Sequence, residues 1–191
     1  MLHTILPTQM QAAEQTAFAA GLSPLLTMET AARAAFDVLL DLLGCDCRGK
    51  NVLFLCGPGN NGGDGLVMAR LLLQARGFAR IILLDTPKTA EAQINLRHLQ
   101  AMGADIEAVP DELLEDEYDA VVDALFGTGF TGSIAADSPA GRLLTWANTC
   151  GPMLSIDVPS GMDAATGAVE GVCARAIWTV TFHRPKPGLY L

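Results

Sequence analysis

The chain has 191 residues, half of them hydrophobic and 17% charged, with a formal net charge of −9. That length suits a single domain with a sizeable core, and the composition excludes a disordered chain. The acidic balance also excludes a nonspecific nucleic-acid surface, which needs clustered Lys and Arg.

In chain order, Pro7 and Thr8 open a helix over 8–20 with Thr8 as its cap, and a second helix runs from Met28 to Leu43 before Gly44. The start, Met1-Leu-His-Thr-Ile-Leu-Pro-Thr8, lacks the basic region and long apolar segment of a secretory signal. No apolar run approaches the roughly 20 residues of a membrane span. Cys45-Asp-Cys47 is too tight and isolated for a zinc site. With Cys56, Cys150 and Cys173 the count is five, odd and without framework spacing, so a reduced, cytoplasmic protein is expected.

Val52 to Cys56 is a buried strand, and Gly57-Pro-Gly-Asn-Asn-Gly-Gly-Asp-Gly65 turns it into a helix expected to begin near Asp64 or Gly65 and run to 76. Such joints aim backbone N–H groups at an anion. Gly57-x-Gly59-x-x-Gly62 even satisfies the dinucleotide fingerprint, with Asp85 as the acidic ribose ligand. However, Asp64 at the helix start is a good cap and poor company for a pyrophosphate. That argues against a standard dehydrogenase. With the amides of Asn60 and Asn61, the turn suits a ligand of mixed character or one accompanied by a cation.

A strand at 80–84, a helix at 89–102 and a short strand at 106–108 follow. Pro110-Asp-Glu-Leu-Leu-Glu-Asp-Glu117 is an acidic patch, expected as a solvated loop or short helix. A strand at 119–123, a helix from Pro139 to Asn148, a strand at 153–157 and a strand from Ile177 to Phe182 complete the chain. Strands alternating with helices predict an α/β, three-layer fold with a mostly parallel sheet and helices on both faces.

In such sheets ligands bind beyond the carboxyl ends of the strands. Four segments carry special residues there: Asn60 to Asp64; Asp123 with Gly127-Thr-Gly-Phe-Thr-Gly-Ser133; Asp157-Val-Pro-Ser-Gly161 with Asp163; and His183-Arg-Pro-Lys-Pro-Gly188. Gly127, Gly129 and Gly132 either supply positive φ or, beside Thr128, Thr131 and Ser133, expose donors to phosphate. Asp123 and Asp157 could each instead cap a turn. Ser160 lacks an elbow motif and an evident His partner, which argues against a triad nucleophile.

Together, Gly57-Pro-Gly-Asn-Asn-Gly-Gly-Asp-Gly65, Val122-Asp-Ala-Leu-Phe-Gly-Thr-Gly129, Ser155-Ile-Asp-Val-Pro-Ser-Gly-Met-Asp163 and Thr179-Val-Thr-Phe-His-Arg-Pro-Lys-Pro-Gly188 closely resemble the YjeF N-terminal domain family. Gln9-Met-Gln-Ala-Ala-Glu14 and Thr27-Met-Glu-Thr-Ala-Ala-Arg33 resemble that family's first two helices. The resemblance implies a Rossmann-like fold, a homodimer, and epimerisation of the R and S forms of hydrated NADH and NADPH at carbon 6 of the nicotinamide ring. A partner dehydratase then restores the S form. It further implies that Asn60, Asn61, Gly62, Gly63 and Asp64, together with Gly127, Thr128, Gly129, Phe130, Thr131, Gly132, Ser133 and Asp157, line the substrate. Asn61, Asp123 and Ser160 match the family's potassium ligands. Asp157 is the expected proton-transfer group, with Lys186 and His183 as weaker candidates.

Two departures stand out. His183 occupies a position where many members have a small residue, and residues 1–191, expected as a single domain of this type, stop at Gly188-Leu-Tyr-Leu191 where related domains continue: either a longer protein is cut here, in which case a fused dehydratase is possible, or the end is unusual. The rival from another class is a non-catalytic nucleotide-binding or scaffold module of the same fold, as in an mRNA-decapping relative. Retention of Asn61, Asp123, Asp157 and Ser160 favours the enzyme.

Overall fold

The computed structural model describes residues 3–113 and 116–191. Its elements in chain order are α1 (Pro7–Ala19), α2 (Pro24–Leu42), β1 (Asn51–Cys56), α3 (Asn60–Gln74), β2 (Phe78–Leu83), α4 (Ala90–Ala101), β3 (Asp105–Ala108), β4 (Ala120–Ala124), α5 (Pro139–Ala147), β5 (Met153–Ile156) and β6 (Trp178–Val180), with a 3-10 turn at Pro187–Leu189. The strands form one six-stranded sheet in the order β3-β2-β1-β4-β5-β6. All five pairings are parallel.

Alternate residues of the four central strands, β2, β1, β4 and β5, feed two cores. Val52, Phe54 and Cys56 of β1 pack with Ile81, Val122 and Leu154 under α2, α3 and α4. Leu53 and Leu55 turn to the opposite face, under Leu143, Leu144 and Ala147 of α5. Both faces are covered, which is why these strands read as unbroken apolar runs.

Local chemistry moves several helix starts from their expected places. Helix α2 begins four residues before Met28, because Pro24 fits the first turn and the Ser23 hydroxyl accepts from Leu26 N–H at 3.4 Å. Thr8 lies inside α1 rather than capping it; Leu6 is the cap, with its N–H donating to the Gln9 side chain at 3.1 Å. Of the acidic patch, Leu114 and Glu115 lie outside the described residues, and Asp111 and Glu112 sit in an exposed bend.

The largest displacement is that of α3, which starts at Asn60 after an extended Gly59 instead of near Asp64. Glycines inside a helix each cost about 1 kcal/mol against Ala. Tertiary contact explains their presence. A Cβ on Gly62 would lie 1.8 Å from the Gly57 carbonyl oxygen, one on Gly63 2.5 Å from Met28 Cε of α2, and one on Gly65 2.7 Å from Ala124 Cβ of β4. The glycine run therefore lets α3 press against the sheet and its neighbouring helices. Chain connections run outward in opposite directions from β1 and β4, which makes the gap between their carboxyl ends the topological switch point.

Candidate functional site

The four segments singled out in the sequence do converge at this edge. At its centre lies Asp157, just beyond β5, buried and in the left-handed region at φ 68°. Non-glycine residues held there cost of order 1–3 kcal/mol and are kept where surroundings fix them, although Asp tolerates the region better than most. Here the surroundings are specific. The Thr128 N–H donates to Asp157 Oδ2 at 2.9 Å, and the Lys186 ammonium donates to Oδ1.

Lys186 is 1% exposed, deeper than lysines normally go. Its remaining donors reach Thr181 Oγ1 at 2.9 Å and the Phe182 carbonyl at 3.0 Å, so the buried charge is both paired and hydrogen-bonded. Flanking Pro185 and Pro187 fix the backbone on either side of it. By sequence Lys186 is a weaker candidate than Asp157; the geometry pairs the two. His183, also at positive φ, is exposed.

Asp64 is not a helix cap. It is the fifth residue of α3, 8% exposed, and burial pushes its carboxyl well above the usual range, with Asp157 and Glu14 adding like-charge repulsion. Because the helix begins four residues earlier than expected, this carboxylate faces the site instead of guarding the helix end. Gly127 lies between two candidate side chains: a Cβ there would sit 3.0 Å from Asp157 Oδ2 and 3.3 Å from Asn61 Oδ1.

Behind this group is a second, fully buried one. Asp123 Oδ1 accepts from Ser160 Oγ at 2.6 Å and Leu125 N at 3.4 Å, and Oδ2 from Ser155 Oγ at 2.7 Å and Ser160 N at 2.9 Å. Ser160 Oγ is itself 2.9 Å from Phe126 N and 3.2 Å from the Phe126 carbonyl. Burial raises the Asp123 pKa while the two serines and Leu125 N–H oppose it. Asp123 takes part in no salt bridge among the described residues, and the Asn61 Nδ2 is buried without a partner among them. The Asp123 carboxylate, the Ser160 hydroxyl and the Phe126 carbonyl are oxygens of the kind a hard cation takes, whereas the unpartnered Asn61 Nδ2 is a donor and calls for an acceptor.

The outer part of the predicted lining is less ordered by contacts. Phe126 and Phe130 pack with centroids 4.9 Å apart. Thr131, Gly132 and Ser133 are exposed, and among the described residues the hydroxyls of Thr128, Thr131 and Ser133 make no hydrogen bond. Of the three loop glycines only Gly132 has positive φ, at 95°. Asp85, the ribose ligand of the dehydrogenase alternative, is committed elsewhere: Thr86 N–H reaches it at 2.7 Å and Lys88 Nζ at 3.0 Å. Asp163 likewise caps its own turn through Ala165 N, Thr166 N and Thr166 Oγ1.

Fold and site together define a parallel-sheet, Rossmann-like α/β protein whose polar residues gather at the switch point. The YjeF-related protein N-terminus family matches residues 26–188, and the chain belongs to that family. It is 38% identical, over 97% of its length, to a bifunctional NAD(P)H-hydrate repair enzyme of Methanothermobacter thermautotrophicus. It is 36% identical, over 85% of its length and 76% of the relative's, to an NAD(P)H-hydrate epimerase of Nitrosopumilus maritimus. The chain spans only 37% of that bifunctional relative. In fold it resembles the crystal structure of yeast YNL200c, with a TM-score of 0.83 over 98% of this chain and 83% of the other, at 21% identity. Among the described residues no helix is long and apolar enough to cross a membrane, and all five cysteines are free thiols.

Proposed function

We propose that this domain interconverts the R and S epimers of hydrated NADH and NADPH at carbon 6 of the nicotinamide ring. The observation that carries the proposal is the Asp157 carboxylate at the switch point, held by Lys186 on one oxygen and the Thr128 N–H on the other. The relatives' names support the substrate class.

The chemistry asks for acid–base help at the C6 hydroxyl. The substrate is a hemiaminal, so the ring nitrogen's lone pair expels the neighbouring hydroxyl once that oxygen is protonated, leaving a planar iminium. Water returning to the opposite face gives up a proton and inverts the centre. Asp157 handles such a proton and stabilises the cation between the two steps. Its two hydrogen bonds fix the carboxylate's orientation before substrate arrives, and the Asp157–Lys186 pair keeps a positive charge deep behind it.

The residues that would hold a potassium ion are Asn61, Asp123 and Ser160, with the Phe126 carbonyl beside them. Such an ion would offset the buried Asp123 charge and favour anionic phosphate nearby. Asn60 to Asp64 and Gly127 to Ser133 line the bound nucleotide. We further infer that the protein works as a homodimer in a reducing cytoplasm, in sequence with a dehydratase, which in a longer chain is fused to it. The exposed Leu22 and Leu26 at the start of α2 offer apolar surface for self-association.

The test is to mix the protein with R-enriched NADH hydrate and follow both epimers by chromatography, with potassium present and absent. Interconversion well above the spontaneous rate is expected. A rate no faster than the blank refutes the enzyme and leaves a nucleotide-binding module.

A further inference from the structure

Glu14 was a motif position without a role. It is the only charged residue of α1. The face that α1 turns toward the protein comprises Pro7, Met10, Glu14, Ala17 and Phe18, all half-buried, at the three- and four-residue spacing of one helical stripe. A surface helix ordinarily keeps its charges on the outer face, yet here the single charge lies at the centre of the inner one. The backbone just before α1 is tied to the Lys186 segment by the Ile5 N–H donating to the Pro185 carbonyl at 3.0 Å. Asp157, Lys186 and His183 all act electrostatically on Glu14, and Glu14 acts on Asp64. Burial is the main cause that raises its carboxyl above the ordinary range, with Asp157 adding to it and Lys186 and His183 opposing. Unlike that of Asp157, the side-chain carboxyl of Glu14 has no hydrogen-bond or ion-pair partner among the described residues.

Epimerisation sets a geometric requirement that one carboxyl meets poorly. The R and S hydroxyls lie on opposite faces of the nicotinamide ring, so proton transfer is needed on both. We propose that Glu14 is the second proton-transfer group of the site and serves the ring face opposite Asp157. This rests on the epimerase function proposed above. In one direction the Glu14 acid gives its proton to the C6 hydroxyl. The C6–O bond breaks with its electron pair going to oxygen, water departs, and the ring nitrogen's lone pair forms the C=N bond. Water then adds to C6 from the other face and passes a proton to the Asp157 carboxylate. The reverse direction exchanges the roles, and solvent exchange returns the two carboxyls to their starting state. The negative charge of Asp157 beside it, added to burial, favours a proton on Glu14, as the acid of the first step requires.

The experiment compares wild type, Glu14→Gln and Glu14→Asp for epimer interconversion across pH, with circular dichroism to verify folding. Glu14→Gln is expected to lower kcat by about 10²–10⁴-fold with KM little changed, and to abolish the alkaline limb that an acid form of Glu14 imposes. Glu14→Asp should restore part of kcat and that limb. Activity of Glu14→Gln within threefold of wild type overturns the proposal alone. So does a loss that leaves the pH profile unaltered. An inactive wild type overturns the epimerase function itself, and this proposal with it.

Discussion

Replacing Lys186 by Met tests the central pair without reference to catalysis. The side chain is 1% exposed and makes three hydrogen bonds, so Met fills most of the volume but removes the charge and every donor. Breaking a buried pair by removing one member costs about 3–5 kcal/mol. Asp157 retains 12% side-chain exposure and the Thr128 N–H, which places the loss at the lower end, about 3 kcal/mol. For a chain of this size each kcal/mol shifts Tm by roughly 2–4 °C, so Tm should fall by about 6–12 °C in a calorimetric or circular-dichroism melt. Pairing Lys186→Met with Asp157→Asn should recover part of that loss, since the carboxylate left behind is then neutral. A drop below about 2 °C, or strict additivity in the double variant, would refute the view of Lys186 and Asp157 as one electrostatic unit.

Gly62→Ala drives a Cβ to 1.8 Å from a backbone oxygen, so a loss of about 3 kcal/mol is expected in urea unfolding. Gly129→Ala, with nothing within 4 Å of the new methyl, should stay within about 0.5 kcal/mol; equal effects would contradict the packing argument. Asp64 has a raised carboxyl pKa, so its contribution to stability is complete below the unfolded carboxylate range and is lost as pH rises through the folded value. The Tm advantage of Asp64→Asn over wild type should therefore widen as pH rises from the ordinary carboxylate range, and a constant difference would count against burial of the charge. Potassium should raise the Tm of wild type, by an amount that grows with its concentration as ligand linkage requires. Asp123→Asn should lose that response, and an undiminished shift would remove Asp123 from the cation site.

Much of the fold was legible because local patterns and tertiary roles agree. Apolar runs such as Ile81-Ile82 and Val121-Val122 read as strands because both faces of the sheet are covered, and their alternation with helices gave the parallel architecture. The order of special residues at strand ends placed Asp123, Asp157 and Ser160 at one edge, since parallel strands all deliver their carboxyl ends to the same side. Their chemistry, in the form of buried oxygens and a carboxylate, follows from residue type alone.

Tertiary structure decided what local rules weigh wrongly. Propensity moves glycines out of helices, so α3 was expected to begin near Asp64; close contact with Gly57, Met28 and Ala124 permits only glycine there, and the helix starts at Asn60. That shift alone converts Asp64 from a cap into a buried carboxylate. Lys186 and Glu14 had weak signals because a lysine and a glutamate are by default surface residues. Only the folded chain, in which the Ile5 N–H meets the Pro185 carbonyl more than a hundred residues away and Lys186 pairs with Asp157, takes them out of solvent. A solitary charge on the inner stripe of α1 was the one local clue, and which stripe is the inner one is a property of the folded chain.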